Sequence, residues 1–173
     1  YRGIVADKRV WPVHPTPGIN RGYEEGRLND EFKMTKFDAA CGPAIYRDTL
    51  YGNGFEGNAF VCETVGNLVS RFKIEDDGSG SIRAFPAYEQ SEFLASTDER
   101  FRPVLMLNGP DGAMYVVDLN RGIVQHRMFV TSFLRRQIKA RGLESPLGLG
   151  RIWRVVPNNT QLRAVPDVSS MTT

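Results

Sequence analysis

The residues of this chain best suited to chemistry stand in "ERFRPV", where Arg100 and Arg102 are two positions apart at the start of an apolar run. Alternate residues of an extended segment point to the same side, so two guanidinium groups can converge on one ligand. Each offers a planar fork of donors matched to carboxylates. The same pair can equally serve the fold, through ion pairs with Asp98, Glu99 or Asp118. A second polar group closes "VVDLNRG", where Asp118 and Arg121 end an apolar run and can either line a channel or brace a corner as a salt bridge. Glu63, directly after Cys62, is a further candidate to face such a channel. "EDDGSGS" lacks the ligand alternation of a calcium loop and reads as a solvated turn. His14 and His126, the only histidines, read as surface or structural residues, and no metal site is expected in this chain.

The two cysteines, Cys41 and Cys62, flank a hairpin whose turn falls in "YGNGFEGN". Antiparallel pairing about that turn brings them opposite each other, within reach of a disulfide and hence of an exported protein. Two buried free thiols are the alternative.

These residues need elements to hold them. The chain has 173 residues, 41% apolar and 24% charged, the mixture of a globular protein with a real core. A net charge of +2, from 22 basic residues scattered among 20 acidic ones, argues against a nucleic-acid partner. No apolar run approaches the roughly 18 residues of a membrane span, and no export signal opens the chain. Because it starts at Tyr1 with an irregular "YRGIVADKRVWPVHPTPG", it reads as a piece of a longer polypeptide. There is no Cys-x-x-Cys-His for haem, no phosphate loop, no zinc helix and no nucleophile elbow.

Residues 1–38 are rich in Pro, Gly and charge and read as an irregular connecting arm. From "GPAIYR" the texture changes to short strands and tight turns: "GNAFVCET", "NLVSRFKI" and "IRAFPAY" complete a four-stranded antiparallel meander. After a crossover at "EQSEFLASTDER", the runs "RPVLMLN", "AMYVVD" and "GIVQH" repeat the pattern, with Asp111-Gly112 turning the first corner. An amphipathic helix near 129–141 interrupts the second unit: Thr131 or Ser132 can cap it, Arg135, Arg136, Lys139 and Arg141 load its later turns, and Gly142 can stop it. "GRIWRVVP" then closes the meander as a strand. The organisation is a first unit with crossover at 39–98, a second with helical insertion at 99–157, and a tail or linker at 158–173. The fold class is all-β, and two such sheets, each with edges that only neighbours can cover, point to part of a β-propeller.

Three long strings carry a resemblance: "AACGPAIYRDTLYGNGFEGNAFVCETVGNLVSRFKI", "EFLASTDERFRPVLMLNGPDGAMYVVDLNRGIVQH" and "LGLGRIWRVV". Together they resemble the C-terminal blades of the bacterial membrane-bound-dehydrogenase-like propeller family, related to soluble quinoprotein glucose and sorbosone dehydrogenases. The resemblance implies two blades of a six-bladed-type propeller in the periplasm or outside the cell. It further implies sugar or alcohol oxidation with pyrroloquinoline quinone and calcium, and electron transfer to a c-type cytochrome domain, with helical repeats alongside. It puts Arg100 and Arg102 where the family's arginines hold quinone carboxylates. Val65 stands where those enzymes place a lysine, and their catalytic histidine and calcium loop belong to earlier blades. The chain is thus expected to be either part of such a dehydrogenase or a non-catalytic propeller acting as a scaffold or interaction subunit.

Overall fold

The computed structural model describes residues 4–165 together with Asp167 and Ser169. The rest of the 1–38 and 158–173 segments, residues 1–3, 166, 168 and 170–173, lies outside the described residues.

The chain is mostly β, in two antiparallel sheets. The first runs β1 (Ala40–Ile45), β2 (Ala59–Glu63), β3 (Leu68–Asp76) and β4 (Ile82–Pro86) in spatial order, and the two-residue β5 (Leu94–Ala95) also pairs with β3. The corners are those the turn residues demand. Asn67 takes a positive φ in the turn between β2 and β3, and the Asp77 carboxylate accepts the Ser79 amide between β3 and β4. The second sheet contains β6 (Pro103–Asn108), β7 (Met114–Asp118) and β8 (Arg151–Val155), again in order. The Pro-Asp-Gly corner joins β6 to β7, with Gly112 at φ 86°. Asp111 is buried within that corner, where it accepts the Ala113 amide and the Tyr115 hydroxyl and meets Arg154.

The second sheet has three strands rather than four. "GIVQH" leaves β7 without pairing, because its backbone is used elsewhere: the carbonyls of Arg121 and Gly122 accept the Arg102 side chain. Gly122 also lies against Leu143 so closely that a Cβ there would stand 2.3 Å from the Leu143 carbonyl oxygen. β7 nevertheless pairs directly with β8, from Asp118 opposite Arg151 to Met114 opposite Val155, across the excursion of residues 119–150.

That excursion holds a 3-10 turn at Arg127–Phe129 and helix α1 (Ser132–Arg141). Thr131 caps α1 by accepting the Leu134 amide, and Gly142 ends it in the left-handed region. Leu134 and Ile138 are its buried residues, four apart on one face.

One core joins the sheets. Phe60, Cys62 and Val69 from the first sheet, with Tyr46 just past β1, meet Met106, Met114 and Val116 from the second and Phe101 before it. The approach of β1 to β6 is made close by Gly42, at φ 52°, where a Cβ would meet the Val104 carbonyl at 2.3 Å. The opposite face of the first sheet carries a second cluster, in which Val65 and Leu68 pack against Val10, Ile19 and Met34 of the irregular N-terminal segment. Isolated bridges, Val5 to Ala84 and Arg9 to Lys36, fasten that segment without making it a strand.

The expected disulfide is not formed in this structure. Cys41 and Cys62 are direct partners in the register, but both are free thiols. The register shifts immediately after Cys41, through the left-handed Gly42, and the Cys41 Sγ lies 3.0 Å from Thr64 Oγ1 and 3.8 Å from the Pro103 carbonyl. Burial pushes the Cys62 thiol up to about 12, so it stays protonated and unreactive at neutral pH.

Candidate functional site

The arginine pair sits where the segment between β5 and β6 meets both sheets. Arg102, only 2% exposed, directs its guanidinium into the protein. Nη1 donates to the carbonyls of Thr64 at 3.1 Å and Val65 at 3.4 Å, in the turn between β2 and β3. Nε donates to the Arg121 carbonyl at 2.9 Å and Nη2 to that of Gly122 at 2.7 Å, where the chain leaves β7. Its backbone joins the same corner, with N donating to Asp118 Oδ1 at 2.7 Å and O accepting the Leu119 amide. One side chain therefore ties a turn of the first sheet to an exit from the second. Burial draws its pKa down to about 10, which still leaves it charged at neutral pH.

Arg100 does a related job at the other end of the excursion. Its Nη2 donates to the carbonyls of Gly142 at 3.1 Å and Ser145 at 2.9 Å, just past the C-terminus of α1, where carbonyls lack helical partners. Its Nε is buried without a partner among the described residues. Arg102 thus holds the start of residues 119–150 and Arg100 holds their end. Glu99, just before Arg100, pairs with Arg141 in the last turn of the helix.

The carboxylates are used just as fully. Asp118 is buried: Oδ1 accepts the amides of Arg102 and Asn120, while Oδ2 accepts Arg151 Nε at 2.8 Å and Trp153 Nε1 at 3.0 Å. Burial works to raise its pKa, but the donations from the Arg102 amide, Arg151 and Trp153 outweigh it and hold the carboxyl below its ordinary value. Its ionic partner is Arg151 of β8, not Arg121, so the expected Asp118–Arg121 bridge is corrected; Arg121 contributes its carbonyl and has an exposed side chain.

Glu63 faces the interior. It is fully buried on the arm side of the first sheet, where Oε2 accepts the amides of Asp38 and Ala39 and Oε1 those of Ala39 and Val65. Burial is the largest influence and raises its pKa. Val65 is also buried, packed in the arm cluster. His14 joins the same interior, with Nε2 3.1 Å from Asn67 Oδ1, while Asn67 Nδ2 donates to the Phe101 carbonyl at 2.6 Å.

This geometry bears directly on the expected quinone. Holding its carboxylates needs guanidinium donors aimed at a shared opening, and the donors of Arg102 are aimed at four backbone carbonyls. The residues present do not fit that role. Among the described residues no group of three or more His, Cys, Asp or Glu side chains could hold a metal ion, and no helix is long and apolar enough to cross a membrane. Sequence reasoning missed Asp111, Arg151 and Arg154. The available signal was charge, since "RIWRV" carries Arg151 and Arg154 in an otherwise apolar run, and the run "AMYVVD" has Asp111 shortly before it and Asp118 at its end.

Two antiparallel sheets on a common core, fastened by a buried arginine and interrupted by a clamped helical excursion, define the class to which this chain belongs by structure. By sequence it belongs to the family described as a domain of unknown function, DUF7133, whose model matches residues 3–159. No curated protein and no solved structure matches it.

Proposed function

We propose that this chain supplies two neighbouring blades of a β-propeller of the six-bladed type, exported and related to quinoprotein dehydrogenases, and that these blades serve it as scaffold and interaction surface. The observation that carries the scaffold reading is the commitment of Arg102 to four backbone carbonyls in the interior. A fold shared with enzymes does not carry their chemistry once the site residues are used otherwise.

The blade reading is supported by the order of the strands, consecutive in both sheets, and by the outer face of the second sheet. There Leu105, Val117 and Ile152 are paired neighbours across three strands, and Leu105 and Ile152 are exposed. A further blade would cover that row. The partners implied are the remaining blades, with helical repeats and a c-type cytochrome domain as the resemblance has them.

The dehydrogenase reading rests on the resemblance at "ERFRPV" and requires Arg102 to leave its carbonyls. The test is to supply pyrroloquinoline quinone and calcium to the intact protein, then follow quinone binding and sugar-dependent dye reduction in the native chain and in Arg100→Ala. The scaffold reading expects neither signal to depend on Arg100. Stoichiometric quinone binding that Arg100→Ala abolishes, with an unchanged melting curve, overturns it in favour of the dehydrogenase.

A further inference from the structure

From Leu119 to Leu143 the sequence contains six Arg or Lys residues and no Asp or Glu, in a chain whose charges are otherwise mixed. Folding puts these cations on one excursion. On α1, Arg135, Arg136 and Lys139 are exposed and recur at the three-to-four spacing of a single helix face, opposite the buried Leu134 and Ile138. Arg141 is engaged by Glu99, but Arg121, Arg127, Arg135, Arg136 and Lys139 make no ion pair among the described residues.

The same excursion exposes apolar side chains that a folded protein ordinarily covers. Met128 is 82% and Phe129 65% exposed on the 3-10 turn just before α1. They are held there firmly. Asn20 donates Nδ2 to the Phe129 carbonyl and accepts the Thr131 amide on Oδ1, both at 2.9 Å, and His126 Nδ1 accepts the Met128 amide. Tyr23, also exposed, stands beside Phe133 with ring centroids 6.4 Å apart. The nearby Glu24 is taken by Arg21 and Arg27.

Unpaired cations on the same excursion as a fixed, protruding Met-Phe pair supply both demands of an anionic bilayer surface: charge for the headgroups and apolar side chains for the acyl boundary. An acidic protein or a nucleic acid would use the cations but has less use for Met128 and Phe129. We propose that this excursion is a peripheral docking site for membranes rich in anionic phospholipid, lying on the surface without crossing it. The proposal does not depend on whether the chain belongs to an enzyme.

Co-sedimentation with vesicles of phosphatidylcholine and phosphatidylglycerol in equal parts, against phosphatidylcholine alone, tests it. The native protein should pellet with the anionic vesicles only, and raising the ionic strength should release it. Arg135→Gln, Arg136→Gln and Lys139→Gln together should weaken binding about a hundredfold at low salt, from roughly fivefold per cation near such a surface. Met128→Ser with Phe129→Ser should weaken it about tenfold, because no large apolar side chain of the turn then reaches the acyl boundary. All five residues are exposed, so circular dichroism and melting curves should match the native chain. No pelleting, equal pelleting with both vesicles, or full binding by the triple variant overturns the proposal. So does unchanged vesicle binding by the Met128–Phe129 variant, since any polyanion would then suffice.

Discussion

The two sheets use the same kind of strand and finish their outer faces in opposite ways. In the first, Leu68 to Phe72 of β3 is buried on both sides, because the shared core covers one face and the N-terminal segment the other. In the second, only the core side of β6 and β7 is covered, and β8 is mostly exposed. The N-terminal segment does for one sheet what another sheet or partner must do for the other. An irregular segment is able to do this because Glu63 accepts the Asp38 and Ala39 amides at its junction with β1, which would otherwise lack partners.

The largest way to break this contrast lies between the sheets. Arg102→Met removes the donor to four carbonyls and should cost about 3–5 kcal/mol, as expected when one partner of a buried charged interaction is removed. Equilibrium denaturation measures it, and a loss under about 1 kcal/mol would mean the guanidinium is free for other work. On the covered face, Ile19→Ala should cost about 2–5 kcal/mol, since Ile19 is fully enclosed under the first sheet. If the variant unfolds like the native chain, the segment is a loose cover and the two faces are alike.

Titration sharpens the contrast further. Asp118 is held below its ordinary value near 3.8, so its stabilisation is complete above that pH and is lost as pH falls through the folded value. Glu63 is raised above 4.5, so ionising it works against the fold as pH rises past 4.5. Asp118→Asn should cost about 1–3 kcal/mol at pH 7, and the gap to the native chain should close below about pH 4. Denaturation curves at about pH 7, 4 and 3 check the slope. The smallest effect belongs to the bare face. Ile152→Ser, at a site 67% exposed, should change the stability of the chain by under about 0.5 kcal/mol. A loss several times larger would show that β8 already depends on this face.

The local signals in the sequence were informative where a single element sufficed. Four of the five strands of the first sheet, the Pro-Asp-Gly corner, the Thr131 cap and the Gly142 stop are readable because alternation, turn chemistry and capping act over a few residues. "GIVQH" misled because it alternates like a strand, while its backbone is claimed by Arg102 and crowded by Leu143, both distant in sequence. Arg-x-Arg spacing says that two side chains share a side but not whether that side is water or interior. For Cys41 and Cys62 the register was legible, and the bulge at Gly42 beside them was not. The aperiodic segment before residue 39 offered no pattern from which its burial could be read.

The pairing of β7 with β8 holds whatever hangs between them. Both ends of residues 119–150 are pinned by side chains from outside that stretch, so the loop is closed before its contents are chosen. Lengthening a loop already closed in this way adds little further entropic cost. The position works as a socket: its occupant is free to lengthen, shrink or change character over evolutionary time, or at a designer's bench, while the sheet that carries it stays as it is.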